Sequence, residues 1–404
     1  MFLHPLYIDP GTGSALFSIV IGIAAAGYFL IRGVFLKIGV LLFRKKQNIE
    51  SQYKYIIYAE DKRYWSFFEL ILEEFELRNI EVHYLTSSPD DPVFSSNYKF
   101  IKGKYIGKGN KAYAFLNFIS ADFVLTTTPH LDVFQWKRSK NVKHYCHMTH
   151  MAGGCVLYRL FALDYFDSIL IPNEEEINEL RIIEKAHNTK EKQLIVVGNT
   201  FLDRYAKKIN EIPKEEPHVF TVLVSPSWGK SALLEVFGDK LLEPLSKTGW
   251  RIIIRPHPQS LISEKHVIDT LTEKYISNSN IEWDYNHENI YSLSKADIMI
   301  SDFSGIICDF VFLFEKPVIV NVQDLDFNIY DAQDLGQEPY YIQSIKKMGI
   351  QIDGSALPNI KETITSLVQN TQMQSNRNEV KTNMWKFQGE SAKRAVDFII
   401  QTAG

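Results

Sequence analysis

From Tyr53 onward, short apolar runs alternate with amphipathic stretches, separated by polar or glycine-bearing loops. Tyr55 to Tyr58 predicts a strand, Tyr64 to Arg78 an amphipathic helix, and Val82 to Leu85 a second strand. Phe123 to Thr126, His144 to His147 and Ser168 to Ile171 read as further strands. Glu174 to Lys185 then predicts a helix and Gln193 to Val197 another strand. Such alternation is the pattern of a doubly wound parallel sheet. Lys207 to Pro217, charged and proline-bearing, predicts a linker. A second set follows it: strand Phe220 to Val224, helix Ser231 to Ser246, strand Arg251 to Ile254.

Lys295 to Val322 is the most informative unit of that second set. Asp297 to Ile300 reads as a buried parallel strand, and Ile306 to Phe314 is apolar almost all round, as a helix packed between sheet and neighbour would be. Lys316-Pro317 stops the helix and Val318 to Val322 reads as the next strand. Between them lie Ser301-Asp302-Phe303-Ser304-Gly305, with Ser304 the expected N-cap. Free backbone N–H groups and the positive end of the helix dipole suit a phosphate there, and Gly305 removes a Cβ that would hold a ligand off the backbone. An ordinary capped core helix is the alternative.

The first 46 residues are unlike the rest. Ala15 to Ile31 is an uncharged apolar run, followed by Arg32, Lys37 and a second run ending at Phe43. The first run is near the lower end of the about 17–25 residues that span a bilayer, and Arg32 can snorkel to extend it. Arg44-Lys45-Lys46 follow and no Lys or Arg precedes Arg32. This bias predicts a single-pass cell-membrane anchor with the body of the chain in the cytoplasm. A cleaved signal peptide would want a basic region first; a hairpin or in-plane amphipathic segment is the competing reading. Gly11-Thr12-Gly13 lacks the third glycine of a dinucleotide fingerprint.

At 404 residues the chain has room for two domains plus extras. The expected division is an anchor over 1–46, Rossmann-like domains over 47–206 and 218–375, and a C-terminal helical segment over 376–404. A net charge of −4 argues against a nucleic-acid partner. Cys146, Cys155 and Cys308 form no disulfide-like framework, which suits a reducing compartment.

Histidines mark two strand ends. The first is Lys143-His144-Tyr145-Cys146-His147-Met148-Thr149-His150, running into Met151-Ala152-Gly153-Gly154. Imidazole is suited to taking a proton from a hydroxyl near neutral pH. A metal site drawn from His144, Cys146, His147, His150 and Cys155 is the rival, although the spacing matches no standard zinc pattern. The second is Arg255-Pro256-His257-Pro258, where the prolines fix the chain as it leaves the sheet and aim His257 into a cleft. His257 can donate to a diphosphate oxygen or a leaving group, and Arg255 can neutralise it bidentately. Gly229-Lys230-Ser231 imitates a P-loop tail, but Val224 stands where its first glycine is required.

Several of these segments carry a resemblance. Asp302-Phe303-Ser304, then Asp309-Phe310 and Lys316-Pro317, resemble the signature of the CDP-glycerol glycerophosphotransferase family, the teichoic-acid primases and polymerases. Gly305 stands where that family usually carries a second serine. The family's W-H-G-T aligns with Cys146-His147-Met148-Thr149, which implies His147 as general base; its neighbour His150 is the alternative. Ser225-Pro226-Ser227-Trp228, Arg255-Pro256-His257-Pro258, Gly198 to Asp203 and Gly389 to Arg394 resemble further family segments. The resemblance implies a GT-B fold, two Rossmann-like halves facing a cleft. It also implies transfer of a polyol phosphate from a CDP-activated donor to a lipid-linked envelope acceptor, with release of CMP. His147 and His257 would be catalytic. Arg255, Ser225, Ser227, Trp228, Asp302, Ser304, Gly305, Asp309 and His150 would bind substrate. No metal or other cofactor is demanded, because the helix start and the cations can cover the diphosphate. A nucleotide-sugar glycosyltransferase and a non-catalytic nucleotide-binding subunit of an envelope-polymer complex are the alternatives.

Overall fold

The computed structural model describes residues 27–28, 52–213, 216–286, 288–322, 325–368 and 370–404. By internal contacts the chain divides into residues 1–52 and 53–404. The expected membrane span lies outside the described residues apart from Gly27 and Tyr28. Among the described residues no helix is long and apolar enough to cross a membrane.

Residues 53–404 form two all-parallel sheets. The first has seven strands: β1 (Tyr53–Ala59), β2 (Val82–Thr86), β3 (Ile101–Tyr105), β4 (Ser120–Thr126), β5 (Asn141–Met148), β6 (Ser168–Ile171) and β7 (Gln193–Val196), in the order β3-β2-β1-β4-β5-β6-β7. The second has six: β8 (Thr221–Val224), β9 (Arg251–Ile254), β10 (Ile281–Trp283), β11 (Ile298–Ser301), β12 (Val318–Val320) and β13 (Ile350–Gln351), in the order β10-β9-β8-β11-β12-β13. Strands β8, β11 and β12 are buried along their whole length. That is why they read as uninterrupted apolar runs, since a parallel sheet is covered on both faces.

Of the edge strands, β7 was legible as Gln193 to Val197, but β3, β10 and β13 gave no such signal. Ile101–Tyr105 reads IKGKY and is exposed after its first residue. Lysines at exposed edge positions discourage pairing with another chain, and they also erase the apolar pattern. The expected Ser231–Ser246 helix is two helices, Leu233–Val236 and Asp239–Ser246, because Gly238 takes a positive φ of 41° between them. The first part of the expected linker is helical, within Thr200–Lys208 and the following single turn Ile209–Glu211.

The C-terminal segment joins the two sheets. The Thr371–Met384 helix buries Val380 and Met384 in the core of the second sheet, and the Ser391–Ala403 helix returns to bury Ala395, Val396 and Ile399 against the first. Asp203 holds this crossing, accepting from Trp385 Nε1 (2.9 Å) and Ser391 N (3.1 Å). Gly198 makes the close approach possible. With φ at +91°, a Cβ there would stand 2.4 Å from the Lys386 carbonyl oxygen.

Candidate functional site

The functional side chains gather at the carboxyl ends of the strands, where open α/β sheets place their ligand crevices. The Ile306–Phe314 helix begins just beyond β11, and no side chain caps it. This corrects the expectation for Ser304. Its own N–H is held by Asp302 Oδ1 at 3.1 Å, and its carbonyl accepts from Ile307 N and from the Tyr341 hydroxyl at 3.0 Å. Gly305 flanks the helix with φ −58° and ψ −24°, values open to any residue. A Cβ there would meet nothing nearer than Met151 Cγ at 4.0 Å, so glycine is not required by the backbone. Met151 belongs to the loop leaving β5. The helix start of the second sheet therefore opens on the imidazole-bearing loop of the first.

That loop does not present both histidines. His147 is fully buried, with the Phe166 and Tyr158 rings 5.1 and 5.6 Å away. Burial, then the neighbouring His150, pushes its pKa down to about 3. Enclosed in this way, His147 is not presented to a substrate hydroxyl in this structure, which departs from its expected role as base. His150 is half-buried, with Nδ1 2.8 Å from the Tyr158 hydroxyl and its ring edge-on to Tyr64 at 5.4 Å. Burial pushes its pKa down to about 4. His144 lies elsewhere, stacked on Phe123 and bonded to Ser168 Oγ at 2.8 Å. Among the described residues no group of three or more His, Cys, Asp or Glu is placed to hold a metal.

Glu176 fixes the loop, and nothing in the sequence pattern marked it. Its carboxylate accepts from Gly154 N (2.6 Å) and Cys155 N (2.8 Å), where Gly154 adopts a left-handed φ of 86°. Tyr158 and Tyr341 were missed too, because each acts through a tertiary contact with no local spacing to announce it.

On the second sheet, β8 and β9 end in the two remaining segments. His257 is half-buried, its ring 6.3 Å from that of the exposed Trp228. Its Nδ1 accepts from Gln259 N at 3.1 Å, so the neutral ring carries its proton on Nε2. Burial, then the charge of Arg63, pushes its pKa down to about 4, keeping it a neutral donor at physiological pH. Arg255 departs from its expected role. Its guanidinium is engaged by Asp284 and by the Asn286 carbonyl (2.7 Å).

Asp302 is also a correction. It is fully buried and accepts from Ser227 N (2.8 Å), Leu233 N (2.8 Å) and Ser304 N (3.1 Å), so it joins three segments and faces no ligand. Burial raises its pKa to about 6 against those amides. Ser225 is buried as well, its hydroxyl donating to the Arg255 carbonyl. Ser227 and Ser304 are buried too. Asp309 lies in the first helical turn and accepts from Asn289 Nδ2 at 3.3 Å, while burial pushes its carboxyl up to about 7.

Residues 160–401 match the family model described as CDP-Glycerol:Poly(glycerophosphate) glycerophosphotransferase. The chain belongs to this family, and it is a transferase. The solved wall teichoic acid polymerase TagF shares the fold with a TM-score of 0.59 at 15% identity, over 92% of this chain and 97% of that one. The S. aureus MnaA–UDP structure has a TM-score of 0.59 at 13% identity, over 86% and 96%. A Methanocaldococcus jannaschii UDP-GlcNAc 2-epimerase in complex with UDP-GlcNAc and UDP reaches 0.53 at 15% identity, over 87% and 100%. At these identities the likeness establishes the GT-B-like fold of two parallel-sheet halves. No curated protein sequence matches the chain significantly.

For this glycerophosphotransferase the open space over Gly305 gives a direct test. Gly305→Ser, the residue usual in the family, is expected to stay within about 0.5 kcal/mol of wild-type stability in urea unfolding. Gly305→Val, which projects a branched side chain over the helix start, should raise the donor KM about tenfold or more, the scale of one misfitting group in a binding site.

Proposed function

We propose that this transferase moves glycerol phosphate, or a related polyol phosphate, from a CDP-activated donor to an envelope glycan acceptor carried on a lipid. The half over 218–375 takes the donor and the half over 47–206 the acceptor. The observation that carries the reading is the uncapped helix start at Gly305, open beside Met151 of the loop that bears His150. Backbone N–H groups at such a terminus suit the donor's diphosphate.

In the reaction, the acceptor hydroxyl oxygen attacks the donor's β-phosphorus. The new P–O bond forms as the bond from that phosphorus to the bridging oxygen breaks, and CMP leaves with the electron pair. His257 donates from Nε2 to the charge gathering on the CMP side, beside the amides of the helix start. His150 accepts the hydroxyl proton on Nε2 when its Nδ1–H is given to Tyr158. An imidazole with so low a pKa is a weak base. Its main contribution is therefore orientation of the hydroxyl, which is what a loose phosphoryl transfer chiefly needs.

This assignment predicts the acid limb of the pH profile. His150 must be neutral to act, and burial holds its pKa near 4. Activity should persist as pH falls through 6 and decline only toward pH 4. An acid limb of kcat/KM between pH 6 and 7 would count against a buried imidazole in this role.

The apolar run Ala15 to Ile31 and the basic Arg44-Lys45-Lys46 support an anchor that keeps the body on the cytoplasmic side, within reach of a lipid-linked acceptor. Transfer from radiolabelled CDP-glycerol, CDP-ribitol and UDP-sugars, compared side by side, tests the donor. The fold shared with UDP-sugar enzymes favours nucleotide-sugar transfer as the second reading. Product from a UDP-sugar alone would establish it.

A further inference from the structure

The Glu175–Ala186 helix follows β6 and carries two buried carboxylates on one face, Glu176 and Glu179. Glu176 holds the loop leaving β5 through Gly154 N and Cys155 N. Glu179 reaches into the other half, where its Oε1 accepts from Tyr340 N at 2.6 Å. Tyr340 opens the Tyr340–Met348 helix between β12 and β13, and Pro339 at the cap position offers no side-chain acceptor. A helix of the second half is therefore capped from the first, at one of the N–H groups that a helix start leaves open.

Tyr341, next along that helix, is fully buried and works in two directions. Its hydroxyl donates to the Ser304 carbonyl at 3.0 Å, one residue before Gly305 at the donor helix start. Its ring lies against Gly153 and Gly154 of the loop that bears His150. A Cβ on Gly153 would stand 3.3 Å from Tyr341 Cδ2 and 3.2 Å from Glu176 Oε1, and one on Gly154 would stand 3.2 Å from Tyr341 Cγ. The two glycines let loop, ring and carboxylate close on one another. One set of contacts thus runs from Glu176 and Glu179 through Tyr340 and Tyr341 to Ser304. It touches both sides of the gap that the reaction has to span.

We propose that Glu179 and Tyr341 are positioning residues that set the separation between the His150 loop and the donor helix start. Both are buried and act through other groups: Glu179 through the start of the Tyr340–Met348 helix, Tyr341 through the Ser304 carbonyl and the two glycines. The approach of the acceptor hydroxyl to the donor phosphorus depends on that separation, and a misplacement of about 1 Å can cost about a hundredfold in rate. The inference rests on the reaction bridging the two halves, as proposed above, but not on which donor or acceptor is used.

The test uses the full chain. Tyr341→Phe keeps the ring against the glycines and removes only the hydroxyl, and the Ser304 carbonyl retains Ile307 N. It should lower kcat about tenfold while the Kd for CDP stays within about threefold, because the donor half still binds its ligand and only the separation changes. Glu179→Ala should behave alike, and Glu179→Gln, which keeps an acceptor for Tyr340 N, should recover most of the rate. Since both residues act through one helix, the double variant Glu179→Ala, Tyr341→Phe should be little slower than the slower single one. Cys146, Cys155 and Cys308 are buried, so spin labels go to Lys190→Cys and Thr365→Cys, exposed positions of the two halves. The distance between those labels should shift or broaden in the double variant. Wild-type kcat in both single variants overturns the proposal, as does a CDP affinity that falls as far as kcat. Losses that multiply in the double variant, or an unchanged label distance, overturn it too. A wild-type chain that transfers nothing from any CDP-polyol would sink the donor reading instead, while the label distance still tests the positioning without turnover.

Discussion

His257→Ala is expected to lower kcat for transfer by about 10²–10³-fold, the loss seen when one preorganised donor to a developing oxyanion is removed. The size follows from how the ring is held. Gln259 N fixes the tautomer from one side, and the partly buried site keeps the imidazole neutral, so Nε2–H is aimed before the donor arrives. A donor that needs no reorganisation acts mainly on the transition state, so kcat should fall much more than the donor KM rises. His257→Gln, which keeps an N–H donor but not its rigidity, should recover part of the loss. His150→Ala should also lower kcat with little change in CDP affinity, since it acts on the acceptor side. His147→Ala should instead show mainly as a lower Tm, because that ring is buried against Phe166 and Tyr158. Unchanged product formation in both His257→Ala and His150→Ala would point to the non-catalytic alternative.

Asp302→Ala is expected to destabilise the chain by about 3 kcal/mol, lowering Tm by roughly 5–10 °C in a thermal melt. Three backbone amides from three segments converge on this carboxylate: Ser227, Leu233 and Ser304. Each buried N–H left without an acceptor costs about 1–3 kcal/mol. Release of the buried carboxyl, already strained enough to push its pKa to about 6, offsets part of the sum. Asp302→Asn keeps an acceptor oxygen but turns an amide N–H toward one of the three donors, so its loss should be intermediate. Because the same carboxylate sets the Ser227 loop against the Ser304 turn, any folded Asp302→Ala should also bind donor more weakly. A variant with wild-type Tm would show that water replaces the carboxylate at no cost.

The legibility of the chain divides along physical lines. Strands such as Ser168–Ile171 and Arg251–Ile254, and the Ile306–Phe314 helix, match their expected bounds because burial of most of their residues writes short apolar runs into the sequence. The edge strand Ile101–Tyr105 does not, since Lys102 and Lys104 face water. The signature around Asp302 and Ser304 and the His-Pro turn at His257 were legible as places where chemistry gathers. Their individual roles were not. Asp302 and Arg255 look like ligand groups in sequence, yet one serves three amides and the other an aspartate and a carbonyl.

By itself, then, the sequence determined the family, the two parallel sheets and the strand ends at which the histidines sit, because burial pattern and local turn chemistry are properties of neighbouring residues. Only the tertiary structure decided which of the two histidines is enclosed: His147 is fully buried and His150 half-buried. His147 and His150 are three residues apart and chemically alike, but Phe166 packs on the His147 ring, whereas His150 lies between the Tyr158 hydroxyl and the Tyr64 ring, which comes from far earlier in the chain. Burial of that kind is set by partners distant in sequence, and no local pattern encodes it.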